Sequence, residues 1–433
     1  MGRPGADAPS ADAPGGTAHA LADVERAAAA VLPPGVRDFV AGGSGAETTL
    51  RANRAALDRV CVVPRALRDV SSCTTESTLL GRPVAMPVAV APVAYHRLVC
   101  AEGEPAAARA AEAAGVPFTA STLSSVPIEE ITGVGGTVWF QLYWLRDTGR
   151  TLDLVRRAED AGCAAVMLTV DVPWMGRRLR DVRNGFALPQ DVRAAHLAAA
   201  ESTAHRRRGG ASAVAAHTAE AFSPAVTWES VAVLRAHTRL PLVLKGLLDA
   251  RDARRAAESG VDAIVVSNHG GRQLDGAVAS IDALPDAVAA AGGGCEVLMD
   301  SGVRSGTDVL RALALGAHGV LVGRPVVWGP PRPARRVRGV CWNCWARNCG
   351  TRSGSPAART SRTPANCAPY AVRRLAPWGR CPRRTALHRT RVRPGSADRA
   401  VDPGRPTARF GWLDTGGMSP TGRQGMRVLI PAP

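Results

Sequence analysis

Eight short apolar runs, separated by alanine-rich stretches of helical period, recur through most of this 433-residue sequence. Each run has five to eight residues and is largely apolar, as strands buried on both faces of a sheet are. The predicted strands are Val88–Val93, Pro117–Ser121, Val138–Tyr143, Ala164–Asp171, Leu242–Gly246, Ala263–Ser267, Glu296–Asp300 and Gly319–Gly323. The predicted helices are Leu21–Val40 (broken at Pro33-Pro34), Glu104–Ala114, Thr151–Ala161, Asp249–Ser259, Ser280–Ala291 and Thr307–Leu315. Eight strands alternating with helices predict an α/β chain folded as a (β/α)8 TIM barrel, with an open doubly wound sheet as the alternative.

One connection in this pattern is unusually long. From Arg183 to about Trp228, after the fourth strand, the sequence is polar, alanine-rich and contains the run RRRGG at 206–210. A loop of this length in a compact domain usually covers a site. We therefore predict a mobile lid with its own short helix.

The positive charge of the chain is confined to one end. The formal net charge is +17, but residues 330–433 hold 21 Arg and 3 acidic residues, so the rest of the chain is nearly neutral. This distribution favours a small-molecule enzyme over a nucleic-acid-binding protein, although binding of an acidic partner through the basic tail remains an alternative.

The chain divides into three segments by composition. Residues 1–20 predict a disordered leader, because they lack the basic and apolar regions of a secretory signal. Residues 21–329 form the predicted barrel domain. Residues 330–433 are rich in Arg, Pro and Cys and lose helical period, so we interpret them as a possible frameshift product without the last barrel helix, in which case the chain would be inactive.

Two further classes of protein are disfavoured. No apolar run is long enough to span a membrane, so a cytoplasmic protein without membrane partners is expected. Cys341, Cys344 and Cys349 resemble a zinc-binding fragment but lack a second half, so no metal site is predicted.

Polar groups gather where the predicted strands end, which is where barrel enzymes place their sites. Lys245, the only lysine of the sequence, ends the fifth strand, and a compact ammonium can approach a ring edge. The seventh and eighth strands end in glycine-arginine loops, DSGVR at 300–304 and GR at 323–324. Glycines let backbone N–H groups approach a ligand, and an arginine can bind phosphate through two hydrogen bonds. The two loops together therefore predict a phosphate site.

The sixth strand ends in SNHGGR at 267–272. His269 can take a proton from a substrate, and Arg272 can hold a carboxylate by two hydrogen bonds. Asp171 could orient the imidazole if the fourth and sixth strands bring the two side chains together.

The combination of VSNHGGRQLD (266–275), the DxGxR loop and the GRP loop resembles the FMN-dependent 2-hydroxy-acid oxidase and dehydrogenase family. That family includes glycolate oxidase, lactate oxidase and mandelate dehydrogenase, and the resemblance runs from about Leu21 to Trp328. The stretches FVAGGSGAETTL (39–50), APVAYHRL (91–98), QLYWLRD (141–147) and TVDVPWMGRRLRDVRNGF (169–186) are most similar to actinobacterial 4-hydroxymandelate oxidases.

The resemblance implies roles for individual residues. Residues implied to bind FMN are Pro92, Val93, Ala94, Ser121, Gln141, Thr169, Lys245, Ser267, Asp300, Gly302, Arg304, Gly323 and Arg324. Residues implied to bind substrate are Phe39, Tyr143, Arg178 and Arg272, and the implied catalytic residues are His269 as base, with Asp171 and Tyr143.

The sequence departs from the family at two positions of the predicted site. Phe39 stands where many members have Tyr, which favours a larger apolar substrate group. Ser301 replaces a Gly that is usual in the loop after the seventh strand, and its hydroxyl could crowd the phosphate.

The resemblance implies oxidation of an (S)-2-hydroxy acid, an aryl one such as mandelate or 4-hydroxymandelate, with O2 as acceptor and H2O2 as product. The alternative within the family is a lactate or mandelate dehydrogenase that uses a quinone or another acceptor. Members of the family are often tetramers, so a homo-oligomer is possible.

Overall fold

The computed structural model describes residues 19–64, 66–67, 73–197, 203–206, 212–329 and 370–374. Its strands are β1 (Val60–Pro64), β2 (Ser77–Leu79), β3 (Arg82–Val84), β4 (Val88–Val90), β5 (Phe118–Ser121), β6 (Val138–Leu142), β7 (Ala165–Thr169), β8 (Leu242–Leu247), β9 (Ala263–Val266), β10 (Glu296–Met299), β11 (Gly319–Val322) and β12 (Tyr370–Arg374). Strands β4 to β11 are parallel neighbours in chain order, and β11 pairs with β4 to close a barrel. The predicted barrel is confirmed, and the open doubly wound sheet is wrong.

Helices follow the strands around the barrel. They are α1 (Leu21–Val31), α2 (Pro34–Ala41), α3 (Thr48–Arg59), α4 (Glu104–Ala113), α5 (Ile128–Thr132), α6 (Thr148–Asp160), α7 (Leu179–Arg183), α8 (Ala213–Ala221), α9 (Trp228–His237), α10 (Ala250–Glu258), α11 (Ser280–Ala291), α12 (Gly306–Ala314) and α13 (Arg324–Val327). The predicted helix Leu21–Val40 forms two helices, divided at the predicted break. Pro34 cannot continue α1 and instead begins α2. Helices α3 and α9 were not among the helices predicted from the sequence.

Side chains alternate between the two faces of each barrel strand. Ala89, Met167 and Val265 belong to the cluster inside the barrel, which Leu79 of the β2–β3 hairpin joins. Leu79 lies against Gly319, the first residue of β11, so the hairpin closes the amino ends of the strands. The opposite ends are left free to build a site.

Residues outside the barrel add one more pairing. Strand β1 pairs antiparallel with β12, with Val60 opposite Arg374. The predictions of a leader (1–20), a frameshifted tail (330–433) and a zinc fragment otherwise fall outside the described residues. Among the described residues, none of the helices combines the length and apolar character needed to cross a membrane.

Candidate active site

A pocket opens at the carboxyl ends of the barrel strands, and most predicted site residues line it. Those residues are Phe39, Pro92, Val93, Ala94, Ser121, Tyr143, Arg178, Lys245, His269, Arg272, Asp300, Gly302, Arg304, Gly323 and Arg324. Gln141, Thr169, Asp171 and Ser267 lie at the ends of β6, β7 and β9, directly behind this lining. The structure therefore brings together residues from all eight strand ends and from α2.

His269 and Asp171 form the pair on which the base prediction depends. Nδ1 of His269 lies 3.0 Å from Oδ1 and 3.2 Å from Oδ2 of Asp171. Burial lowers the pKa of His269 despite the opposing charge of Asp171. Burial opposes ionisation of Asp171 as well, but His269 and Lys245 hold its pKa below the ordinary value. A neutral imidazole that donates from Nδ1 to a carboxylate leaves Nε2 free to accept a proton.

Lys245 lies at the centre of a buried polar network. Its Nζ donates to Oγ of Ser267 at 3.1 Å and lies 3.3 Å from Oδ2 of Asp300. Burial alone would lower the pKa of Lys245, but the carboxylates of Asp300 and Asp171 raise it above the ordinary value. The lysine is therefore a permanent cation beside the pocket.

A bulge directs Lys245 and makes room for Asp171. The register of β8 against β9 shifts between Lys245 and Leu247, at Gly246, which has a φ of +114°. A Cβ on Gly246 would lie 2.6 Å from Cβ of Asp171, so only glycine fits there.

Four arginines, one buried and three half-buried, converge on the pocket. Arg178, Arg272, Arg304 and Arg324 each form no ion pair with a carboxylate in the described part of the chain. Burial and mutual repulsion lower the pKa of Arg272 well below its ordinary value and that of Arg324 to about 9. Several cations this close together, with no carboxylate ion pair among the described residues, indicate that the pocket binds anions.

Carbonyl groups at the end of α2 hold two of these arginines. Arg272 donates to O of Gly42 at 2.7 Å, and Arg324 donates to O of Val40 and O of Gly42, each at 2.9 Å. Carbonyls at a helix C-terminus carry partial negative charge, so they orient the guanidinium groups without neutralising them. Nε and Nη2 of Arg272 form no hydrogen bond with the described residues, so they are available to a ligand.

Phe39 lines the pocket beside two of these arginines. Its ring stacks on Phe186 with a centroid distance of 4.6 Å. The guanidinium carbons of Arg178 and Arg272 lie 5.8 Å and 5.5 Å from the ring centroid of Phe39. Cation–π attraction therefore holds both arginines over one aromatic ring. Phenylalanine is sufficient for this contact, because it needs the ring and not a tyrosine hydroxyl.

Two buried polar atoms at the ends of β6 and β7 have no partner. Nε2 of Gln141 and Oγ1 of Thr169 form no hydrogen bond with the residues that the structure describes. Oε1 of Gln141 accepts from Oγ of Ser121 at 3.0 Å, which fixes the amide so that Nε2 is the free donor. An orphaned buried polar atom is costly, so these two atoms indicate a polar ligand.

The long connection supplies one wall of the pocket, and the sequence did not identify which of its residues form that wall. Helix α8 confirms the predicted short helix in this connection, and Val214, Thr218 and Phe222 line the pocket. Phe222 stacks on Tyr143 with centroids 4.4 Å apart. Burial, reinforced by the charge of Asp171, raises the pKa of Tyr143 to about 12, so its hydroxyl remains a donor. The mobility of the connection stays a prediction.

Tyr95 is a second residue that the sequence did not single out. It lines the pocket and is buried, and its hydroxyl finds no partner within the described ranges. Its φ of +57° is unusual for a tyrosine, and its backbone N–H donates to O of Leu123 at 3.1 Å. No periodicity or motif marks such a residue.

Comparison with known proteins gives a consistent result. Residues 28–334 match the family described as FMN-dependent dehydrogenase. The chain is 66% identical over 308 residues to 4-hydroxymandelate oxidase of Amycolatopsis orientalis, covering 71% of this chain and 86% of that protein. It is 48% identical over 297 residues to L-lactate oxidase of Nostoc, covering 67% of this chain and 81% of that protein.

Solved structures agree with these relatives. A crystal structure of mandelate oxidase with (S)-4-hydroxymandelic acid has a TM-score of 0.74 and 62% sequence identity. The match covers 76% of this chain and 93% of that one.

Proposed function

Because this chain belongs to the FMN-dependent dehydrogenase family, we propose that it oxidises an aryl (S)-2-hydroxy acid to the 2-oxo acid, with O2 as acceptor. The observation that carries the proposal is the His269–Asp171 pair beside arginines that form no ion pair with a carboxylate of the described residues. Such a site can hold an anionic substrate and remove a proton from it in one place.

The residues of the pocket fit FMN at its phosphate end. Arg304 and Arg324 are half-buried cations without carboxylate partners among the described residues, and Gly302 and Gly323 lie beside them. A Cβ on Gly302 would lie 3.0 Å from Leu57, so the loop can bring backbone N–H groups close to a ligand only with glycine. We assign the phosphate to this end of the pocket, with Asp300 toward the ribityl chain.

The opposite end fits the flavin ring. Pro92, Val93 and Ala94 form an apolar edge after β4 along which the ring would lie. The free Nε2 of Gln141 and Oγ1 of Thr169, with Ser121, would hydrogen-bond its pyrimidine side. Lys245 would supply positive charge near the atoms that gain electrons, supported by Ser267. When bound, FMN accepts two electrons and hydrogen from the substrate carbon and passes them to O2, giving H2O2.

The substrate end follows from the remaining residues. Arg178 and Arg272 would bind the carboxylate, and Tyr143 would donate a hydrogen bond to the substrate. Nε2 of His269 would take the proton that leaves the substrate, and Asp171 would stabilise the imidazolium that forms. The balanced reaction converts one hydroxy acid and one O2 into one 2-oxo acid and one H2O2.

The walls of the pocket favour an aryl substituent. Phe39, Met175, Val214 and Phe222 line the pocket with apolar side chains. Phe39 has no hydroxyl that an aromatic substituent would leave unpaired, as a tyrosine would. The names of the most similar relatives agree with such a substrate.

We expect purified protein to contain FMN and to lose its yellow colour when mixed anaerobically with (S)-mandelate or (S)-4-hydroxymandelate. Admitting air should restore the colour and produce one H2O2 for each 2-oxo acid. The measurement is flavin absorbance followed by a peroxide assay, with lactate and the (R)-acids as controls. Protein that cannot be loaded with FMN, or that no hydroxy acid reduces, would contradict the proposal. Reduction without reoxidation by O2 would instead favour a dehydrogenase with another acceptor.

The pH dependence of kcat/KM should report His269. Its pKa is lowered, so the imidazole stays neutral and active below the ordinary value of 6.5, and activity is lost only at lower pH, where the ring becomes protonated. We therefore expect an acidic limb centred below 6.5. Asp171→Asn removes a charge that raises this pKa, so its limb should move to still lower pH. A limb centred above 6.5, unmoved in the variant, would exclude this assignment.

A further inference from the structure

We propose that the hydroxyl of Ser301 is a positioning group that joins the base loop at His269 to the Asp300–Lys245 pair. This inference rests on the proposed function. Ser301 follows β10 and is 9% exposed. Its Oγ donates to Oδ1 of Asp300 at 2.7 Å and accepts from N of Gly270 at 3.0 Å.

These two bonds complete a closed ring of hydrogen bonds. The other oxygen of Asp300 lies 3.3 Å from Nζ of Lys245, and Nζ donates to Oγ of Ser267. Oγ of Ser267 in turn accepts from N of His269 at 3.0 Å. Because His269 and Gly270 share a peptide bond, Ser267 and Ser301 together tie the backbone of the base to the lysine and its carboxylate.

Backbone strain indicates that the hydroxyl has a role. Ser301 has a φ of +79°, a region that L-residues avoid and glycine adopts freely. Glycine is usual at this position in the family that the sequence resembles. Serine therefore adopts a backbone conformation that glycine would adopt at lower cost. Strain that persists next to a site is offset by a specific interaction, and the two bonds of the hydroxyl are the interactions present.

The bond to Asp300 affects the charge that Lys245 presents to the pocket. A hydroxyl that donates to Oδ1 holds the carboxylate with only Oδ2 toward Nζ. Without it, both oxygens could turn toward the ammonium and offset more of its field. The positive charge beside bound FMN would then fall, and the reduced, anionic cofactor would be less stabilised.

The test compares Ser301→Ala with Ser301→Gly in the FMN-loaded, full-length protein. Both variants lose the hydroxyl, but only alanine keeps a Cβ at positive φ. We expect both to shift the equilibrium with a reference redox dye toward the oxidised enzyme by about threefold to tenfold, the scale of part of one charged hydrogen bond. The glycine variant should melt about 2–4 °C above the alanine variant, because it relieves the strain.

Ser305→Ala is the matched control from the same loop. The hydroxyl of Ser305 accepts from N of Asp308 at 3.3 Å at the start of α12 and contacts neither Asp300 nor Gly270. Losing this helix cap should lower Tm and leave the redox equilibrium unchanged.

The outcomes separate the possibilities. An unchanged redox equilibrium in both Ser301 variants, in protein that hydroxy acids still reduce, overturns this inference and leaves the proposed function intact. A shift of the redox equilibrium in Ser301→Ala but not in Ser301→Gly would be explained by backbone strain at this position. That result also overturns the inference. Protein that no hydroxy acid reduces overturns both proposals.

Discussion

Replacing His269 with alanine should reduce kcat about 10³- to 10⁴-fold, the upper part of the range for losing a general base. Asp171 holds Nδ1 of the imidazole at 3.0 Å, Nε2 has no hydrogen-bond partner among the described residues, and the lowered pKa keeps the ring neutral. Alanine leaves the phosphate end of the pocket and Lys245 in place, so FMN should remain bound. Steady-state turnover and flavin content, measured on the same sample, check both expectations.

Two comparisons make the His269→Ala result specific. Asp171→Asn should retain the base but lose its orientation and charge partner, so its turnover should fall less than that of His269→Ala. His237 lies at the end of α9 and outside the pocket lining, so His237→Ala should retain the turnover and flavin content of the protein without a substitution. Turnover of His269→Ala within tenfold of the unchanged protein would remove His269 as the base.

Replacing Arg272 with methionine should lower kcat/KM for mandelate about 100- to 1000-fold, or about 3–4 kcal/mol at 1.4 kcal/mol per tenfold. The guanidinium is fixed by Gly42 and by the ring of Phe39, so its remaining N–H groups are pre-organised for a carboxylate. Arg272→Lys keeps the charge but loses the planar fork, so it should recover only part of the loss.

Stability and substrate charge distinguish binding from misfolding in the Arg272 variants. Burial and the charges of Arg178 and Arg324 lower the pKa of Arg272, so removing this cation relieves repulsion. We therefore expect the Tm of Arg272→Met to stay within a few degrees of the unchanged protein, by differential scanning fluorimetry. The primary amide of the hydroxy acid lacks the charge and should show a much smaller loss. An equal loss for acid and amide would contradict carboxylate binding.

The sequence was sufficient for the barrel and for much of its site. Each strand is a short apolar run between turn residues, so the periodicity of eight runs identified the fold. Barrel enzymes concentrate chemistry at strand ends, and that rule alone located Lys245, His269 and the two glycine-arginine loops. Local signals were enough because these residues are adjacent in the chain to the strands that carry them.

Other features depended on contacts between distant segments. The Asp171–His269 bond joins residues 98 positions apart, and its geometry requires the bulge at Gly246. Helix α8 meets Tyr143 only after the long connection folds back, which no local pattern encodes.

The amino-acid sequence by itself determined which residues end each barrel strand and which chemistry those residues can carry out. Only the tertiary structure decided their protonation and orientation. Burial, the carbonyl groups of α2 and the hydroxyl of Ser301 act across the barrel, and their effects depend on distances of about 3 Å between segments far apart in sequence.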